Sequence, residues 1–575
     1  MSRDETEVAD ATHESRPDGG SERADAGWRE RWSNQGPGGS RSVPTPLWVG
    51  LVLALALAVR LWGINWQLPY VLYYDELKYV RWASDTVDGR SQGRADYRNP
   101  SLTRHLFTLE FRLAQNLHPI RDQRERAAFR LEAARITTAV LGAGAVVFGA
   151  LAAHVLFGGV SGLLAGLLLA LNPLHVHMSH LAVNDVPASF FLAASLAAGA
   201  ASLRRPSIGL PVLAGFLAGL ATATKYNYGA VLLIPLIGLI IHRAKGRFLV
   251  PRVFVDTLGA TLIAFAVGIF VGMPEIVTDF RAITAGLAEQ AQIGQDASED
   301  QEPTPVPLLY AETIVRGIGP LGVLASILGA GLLIRSRWGA ALAILMVPAV
   351  YLAVMLKGDL FAARFALPPA IVAAVMAGGI TRLIPRLNHL ALALGAILLL
   401  APLVRDVVQH NRLATAVDTR LLAAEWLRTE GQDARVAVQA YSMPPDWAGR
   451  PLPNNARVSR FLSLLTVDAE RRLECDGTNY VTLATFNYER QLRGLPDPRA
   501  ETGYGRLIQR AEHVTRFTPF PSGSSAPAHP DDTAIPFWYM HAYERPGPLI
   551  DVYRIPDAVR AECPGNNQQP QQGNP

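Results

Sequence analysis

Charge is scarce in this chain. Only 18% of its 575 residues are Asp, Glu, Lys or Arg, where a soluble protein would carry about a quarter. The shortage is local. Residues 136–184 hold no charged residue over 49 positions, and further uncharged runs cover 42–59, 186–203, 206–224, 226–242, 257–274, 317–334, 338–356, 365–381 and 387–404. The shorter runs have 17–19 residues each, close to the minimum for a bilayer-spanning helix. The long one is enough for two helices turning near Gly158-Gly159. A soluble enzyme, a nucleic-acid-binding domain and a secreted disulfide scaffold are excluded. The runs predict an α-helical polytopic membrane protein with about eleven transmembrane helices.

Cysteine is scarcer still. Cys475 and Cys563 are the only two; outside the cytoplasm they could pair, but two cysteines give no framework, so two separate thiols stay open. Also missing are an internal repeat, a phosphate-binding GxxxxGK, an HExxH and a GxSxG, which leaves ATP-driven and hydrolase functions without support. The run Gly317 to Gly322 fits a dinucleotide fingerprint only as a pattern, with no strand before it, and reads as small-residue helix packing. The pairs Gly162/Gly166, Gly215/Gly219 and Gly268/Gly272 read the same way.

What is present sorts into a membrane body with soluble attachments. Residues 1–44 and 564–575 are polar and predicted to be disordered tails. The membrane domain covers 45–404, with a first large loop at 65–135 and a second at 275–316. A small α/β domain is predicted over 405–563, from a helix in TRLLAAEWLRTEG and strands in RVAVQAY, YVTLATF and DVYRI. In RDQRERAAFRLEAARI, Ala127, Leu131 and Ala134 recur at helical spacing among arginines, which predicts a surface helix that turns before entering the membrane. With the N-terminus inside, the short inner loops carry ten Lys or Arg and the later outer loops five. The positive-inside rule then puts the N-terminus in the cytoplasm and the C-terminal domain outside.

The chemistry-bearing residues fall at helix ends. YYDELKYVRWA, residues 73–83, places Asp75 and Glu76 beside Lys78 and Arg81 just after the first span. A carboxylate there can act as a general base, and the cations can hold a phosphate; an interfacial belt of aromatics and solvated charges is the bland alternative. Arg135, Asp185, Lys225 and Arg364 sit at the edges of apolar runs, where an ionisable group costs about 2.5–3.5 kcal/mol on insertion scales. Snorkelling explains any one of them; their convergence on one side suits a membrane-embedded phosphate. His175, His177 and His180 crowd one helix end, without a third ligand type to complete a metal set.

The order of these elements resembles the membrane glycosyltransferases of the C-type fold, family 39, which includes protein O-mannosyltransferases and the aminoarabinose transferase of lipid A. The resemblance covers roughly 46–404 and rests on Asp75-Glu76, Asn99-Pro100-Ser101-Leu102, Arg135, Asp185, Lys225-Tyr226 and Arg364-Phe365. It implies a polyprenyl-phosphate-linked sugar as donor, an extracytoplasmic protein, glycan or lipid as acceptor, and inversion at the anomeric carbon. It casts Asp75 as general base and Glu76 as the residue that orients it or contacts the acceptor. Lys78, Arg135, Lys225 and Arg364 would neutralise the lipid phosphate, and Asp185 would support them. Where family members carry a basic residue and two prolines this chain has Asn99-Pro100-Ser101, so Arg98, Arg104 or His105 would substitute. Whether a divalent metal assists is left open. The alternative is a transporter or flippase for a lipid-linked or anionic substrate, which would explain the intramembrane cations but not the large loops or the acidic pair.

Overall fold

The computed structural model describes residues 45–90, 96–117, 119–158, 160–247, 250–296, 305–357, 361–383, 389–444, 457–492, 502–525 and 535–563. Both predicted tails lie outside the described residues. The helical body opens with α1 (Thr45–Leu61), α2 (Tyr74–Val87), α3 (Leu102–Leu117) and α4 (Gln123–Phe157). It continues through α5 (Ser161–Ala170), α6 (Pro173–Ser179), α7 (Asp185–Ser202), α8 (Gly209–Thr224), α9 (Leu233–Ala244) and α10 (Pro251–Gly272). Then come α11 (Phe280–Asp296), α12 (Val306–Ile318), α13 (Pro320–Met355), α14 (Leu367–Ala377) and α15 (His389–Thr415).

Among the described residues, six helical stretches are long and apolar enough to cross a bilayer, or seven if the bent pair α5–α6 is one span. The predicted eleven is not reached by that measure, for identifiable reasons. α1 and α8 are apolar but have only 17 and 16 residues. α13 is continuous over 36 residues only across non-helical backbone at Arg337 (φ −149°, ψ 62°), which divides it between the two predicted runs. α5 and α6 meet at 58°, because Pro173 cannot continue the helix before it. The fully buried Arg60 donates from Nη1 to Ala170 O and from Nη2 to Leu169 O, 3.2 Å each, satisfying carbonyls that the break at the end of α5 leaves orphaned.

The surface helix predicted to turn near Arg135 does not turn. Asp122 caps α4 by accepting from the Glu125 amide at 2.7 Å, and the alanine-rich segment runs on unbroken for 35 residues. Arg130 points inward and pairs with Asp88 at 3.0 and 2.7 Å. Small residues allow the closest helix crossings. A Cβ on Gly219 would lie 2.2 Å from Phe265 O, and one on Gly268 would lie 2.3 Å from Phe216 O, so α8 and α10 touch backbone to backbone. In the Gly317–Gly322 run the chain instead turns, at Gly319 (φ +74°), from α12 into α13.

The C-terminal part starts with α16 (Thr419–Glu430) and builds a five-stranded sheet from β1 (Arg435–Gln439), β2 (Arg457–Phe461), β3 (Tyr480–Ala484), β4 (Glu512–Phe517) and β5 (Ile550–Arg554). Its order is β2-β1-β3-β5-β4. The first three strands are parallel, with Ala437 opposite Val481, and β5 runs antiparallel, with Val552 opposite Thr482. Apolar β1, β3 and β5 are the buried strands, and polar β2 and β4 form the edges. Cys475 and Cys563 form a disulfide. The domain is tied to the helical body just upstream of Asp75: Arg420 donates to Leu72 O at 2.8 Å and Arg428 to the Tyr70 hydroxyl at 3.1 Å.

Candidate functional site

The site is built where several helix ends meet beneath this domain. Tyr73, extended, leads into α2, so Asp75 and Glu76 occupy its first turn, where the helix dipole favours negative charge. The two carboxylates then separate, since consecutive helical residues point about 100° apart. Asp75 stays partly open, its side chain 28% exposed, with Lys78 Nζ 2.7 Å from one oxygen and Arg364 Nη1 3.3 Å from the other. Burial raises the Asp75 pKa, but Arg364, Lys78 and then Lys225 outweigh it and hold the carboxyl below the usual carboxylate range. Arg364 also donates to the Tyr73 hydroxyl at 2.6 Å.

Glu76 turns the other way and is fully buried. Arg135 Nε and Nη2 each donate to it at 2.8 Å, and the Ala182 amide donates at 2.9 Å. Arg135 Nη1 donates to Trp66 O at 2.7 Å, and the guanidinium lies 4.3 Å from the Trp66 ring centre. These surroundings bear on two expectations. Arg135, expected to help neutralise a lipid phosphate, has no exposed surface and is engaged by Glu76 and Trp66. Glu76 is likewise sealed from any acceptor and ties α2 to α4 and to the loop before α7.

A second buried pair stands close by. Asp185 opens α7, Lys225 closes α8, and their side chains hydrogen-bond. Asn184 donates to Thr224 O at 3.0 Å and fixes the same two helix ends. The Lys225 ammonium lies 4.6 Å from the ring centre of Phe365, next to Arg364. One turn after Asp75, Tyr79 is buried. Burial raises its pKa, Asp185 and Asp75 raise it further, and Arg104 and Arg364 oppose them. Tyr79 therefore marks where both carboxylates and two of the cations come within electrostatic reach of one hydroxyl.

The three stand-in cations differ. Arg98 is held by Asp96 at 2.9 and 2.8 Å and lies 3.5 Å from Glu289. His105 Nε2 sits 2.7 Å from Glu275 Oε1. Arg104 is only 3% exposed and faces the Trp82 and Tyr97 rings at 5.0 and 5.8 Å. Its guanidinium donates to Asn99 O at 3.2 Å, and it has no carboxylate partner among the described residues. The histidines are absorbed by packing: His175 meets Arg60, His177 meets His410, and His180 bridges Val176 O and Trp62 O. Among the described residues no three His, Cys, Asp or Glu side chains could together hold a metal ion.

Residues 50–271 match the family model of the dolichyl-phosphate-mannose-protein mannosyltransferases. The chain resembles the family-39 membrane glycosyltransferases of the C-type fold, whose donors are lipid-linked sugars. The match takes in Asp75, Glu76, Arg135, Asp185 and Lys225, and ends before Arg364. Among solved structures, ArnT from Cupriavidus metallidurans bound to undecaprenyl phosphate is 13% identical, with a TM-score of 0.48, covering 88% of this chain and 98% of that one. The oligosaccharyltransferase AglB from Archaeoglobus fulgidus, in complex with an inhibitory peptide and a dolichol-phosphate, is also 13% identical, with a TM-score of 0.46 and coverage of 82% and 73%. No curated protein sequence matches the chain.

Tyr79 and Tyr441 were not singled out by sequence reasoning. Tyr79 was visible in principle as the i+4 neighbour of Asp75 on one helix face. Tyr441 lies far off in the chain and carried no signal.

Proposed function

We propose that this protein transfers a sugar from a polyprenyl-phosphate carrier to an acceptor hydroxyl at the outer face of the membrane, with inversion at the anomeric carbon. The observation that carries the reading is Asp75, a partly open, ionised carboxylate set between Lys78 and Arg364, beside the Lys225–Asp185 pair. In the step, the acceptor oxygen attacks the anomeric carbon from the face opposite the phosphate. Asp75 takes the acceptor's proton as the new bond forms. The bond from the anomeric carbon to the phosphate oxygen breaks, and its electron pair leaves with the lipid phosphate.

Arg364, Lys225 and Arg104 stabilise the charge that grows on that phosphate, the electrostatic half of the catalysis. Lys78, half exposed, orients Asp75 from the water side. Asp185 holds Lys225 in place, and Glu76–Arg135 fixes the turn that presents Asp75. The disulfide in the C-terminal domain supports placing that domain, and the site below it, outside the cytoplasm.

The test uses purified full-length protein and its Asp75→Asn variant, incubated with a radiolabelled polyprenyl-phosphate sugar pool and membrane extract. Wild type should discharge label from the lipid while the variant binds the carrier without discharging it. Equal discharge by both would remove Asp75 as the base. No discharge by either, with carrier binding intact, would move the function to transport.

A further inference from the structure

The C-terminal domain reaches the Asp75 turn through one side chain. Tyr441 follows β1, and its ring packs edge-on against Tyr74, the residue before Asp75, at 4.6 Å between ring centres. On its other side it meets Phe486 at 4.8 Å. Tyr74, Asp75 and Tyr441 are all partly exposed, so this contact is a surface beside the carboxylate. Burial raises the Tyr441 pKa, and Tyr74 and Asp75 add to the rise, as expected for a hydroxyl near the same charge.

The backbone at this point is unusual. Tyr441 has φ +68°, a left-handed conformation that side-chain-bearing residues avoid and that bulky ones adopt only when their surroundings impose it. The neighbours do impose it. The Ala440 amide donates to Phe461 O at 2.8 Å, and the Ser442 amide donates to Gln439 O at 3.1 Å. Ser442 Oγ lies 2.7 Å from both Gln439 O and Thr482 Oγ1. Gln439 itself is locked, donating to the Tyr504 hydroxyl at 2.7 Å and accepting from the Ala484 amide at 2.8 Å. Glycine would meet this geometry without strain. A tyrosine held there against its preference points to a task for the ring.

We propose that Tyr441 is an acceptor-binding residue: with Tyr74 its ring forms the wall along which the hydroxyl-bearing acceptor approaches Asp75. The proposal rests on the transfer reaction above. It gives the C-terminal domain a share of the acceptor site, while the cations of the helical body serve the donor.

The test titrates two substrates separately, with full-length protein. The donor is a radiolabelled polyprenyl-phosphate sugar pool, and the acceptor is a cell-envelope preparation stripped of lipid-linked sugars. Tyr441→Gly removes the ring and suits the left-handed backbone; Tyr441→Phe keeps the ring. The glycine variant should raise the half-saturating envelope concentration about tenfold, the worth of one aromatic contact. Its donor half-saturation and thermal unfolding should stay unchanged, and Tyr441→Phe should behave as wild type. An unchanged envelope titration overturns the proposal, and so does a parallel rise in both half-saturations. A wild type that discharges no donor sinks the transfer reading itself, a result distinct from either.

Discussion

Arg135 grips Glu76 through two hydrogen bonds of 2.8 Å, with neither side chain exposed, while Asp75, one residue earlier, stays partly open between Lys78 and Arg364. One helical turn thus splits two adjacent carboxylates between a sealed ion pair and an accessible carboxylate. Removing one partner of a buried pair strands the other charge, which costs about 3–5 kcal/mol. Glu76→Ala should therefore lower the thermal unfolding midpoint of the detergent-solubilised protein strongly, whereas Asp75→Asn should leave it near wild type and abolish donor discharge. Wild-type unfolding of the Glu76 variant would show that the pair does not hold the turn.

Arg104 offers a second contrast, against Arg98 and His105. Those two already face carboxylates, whereas Arg104 is buried with Asn99 O and aromatic rings as its surroundings. A hydrogen bond to a charged group is worth about 1.5–3 kcal/mol, or roughly ten- to a hundredfold in affinity. Arg104→Gln should weaken binding of sugar-free polyprenyl phosphate by that factor, measured by equilibrium binding in nanodiscs. Arg98→Gln and His105→Gln should change it by less. The assignment fails if the three variants bind alike.

The legible parts of this chain were those written in local pattern. Uncharged runs marked the helical body, and short apolar stretches rich in strand-forming residues marked β1, β3 and β5, because burial constrains each position near its own neighbours. The acidic pair and the cations at run edges were readable because charge near a bilayer is costly. What stayed hidden depended on distance in sequence. Nothing near Arg135 says that its partner is Glu76, 59 residues away, and nothing near Tyr441 says that it meets Tyr74. The count of eleven spans stays unconfirmed, because α1 and α8 are short for a bilayer and the break at Arg337, between two of the uncharged runs, falls inside one continuous helical stretch.

The α8–α10 crossing supplies a test of packing within a single helix. Gly268 lies against Phe216 O, where a Cβ would be 2.3 Å away, whereas nothing lies within 4 Å of a Cβ on Gly259. Gly268→Ala should force the helices apart and destabilise the protein by about 1–3 kcal/mol. Gly259→Ala should be neutral or slightly stabilising, since alanine favours the helix by about 1 kcal/mol. Both are read by thermal unfolding in the same detergent, and equal effects would contradict the close crossing.

The C-terminal domain should lose stability across neutral pH through one carboxyl. Glu470 and Glu474 lie one turn apart on α17 (Val467–Cys475), which ends at the disulfide. Burial first, and then Glu470, push the Glu474 pKa up to about 7 from an ordinary 4.5, against the pull of Arg510 and Arg506. The folded state thus binds its proton more tightly than the unfolded chain does. That contribution to stability is present in full below pH about 4.5 and is lost as pH rises through about 7. With the disulfide kept intact, limited proteolysis of the domain should accelerate between pH 5 and 8 by a factor that Glu474→Gln abolishes. The neutral amide keeps the buried contact without a charge to lose. A Glu474→Gln variant with the wild-type pH profile would place the titration elsewhere.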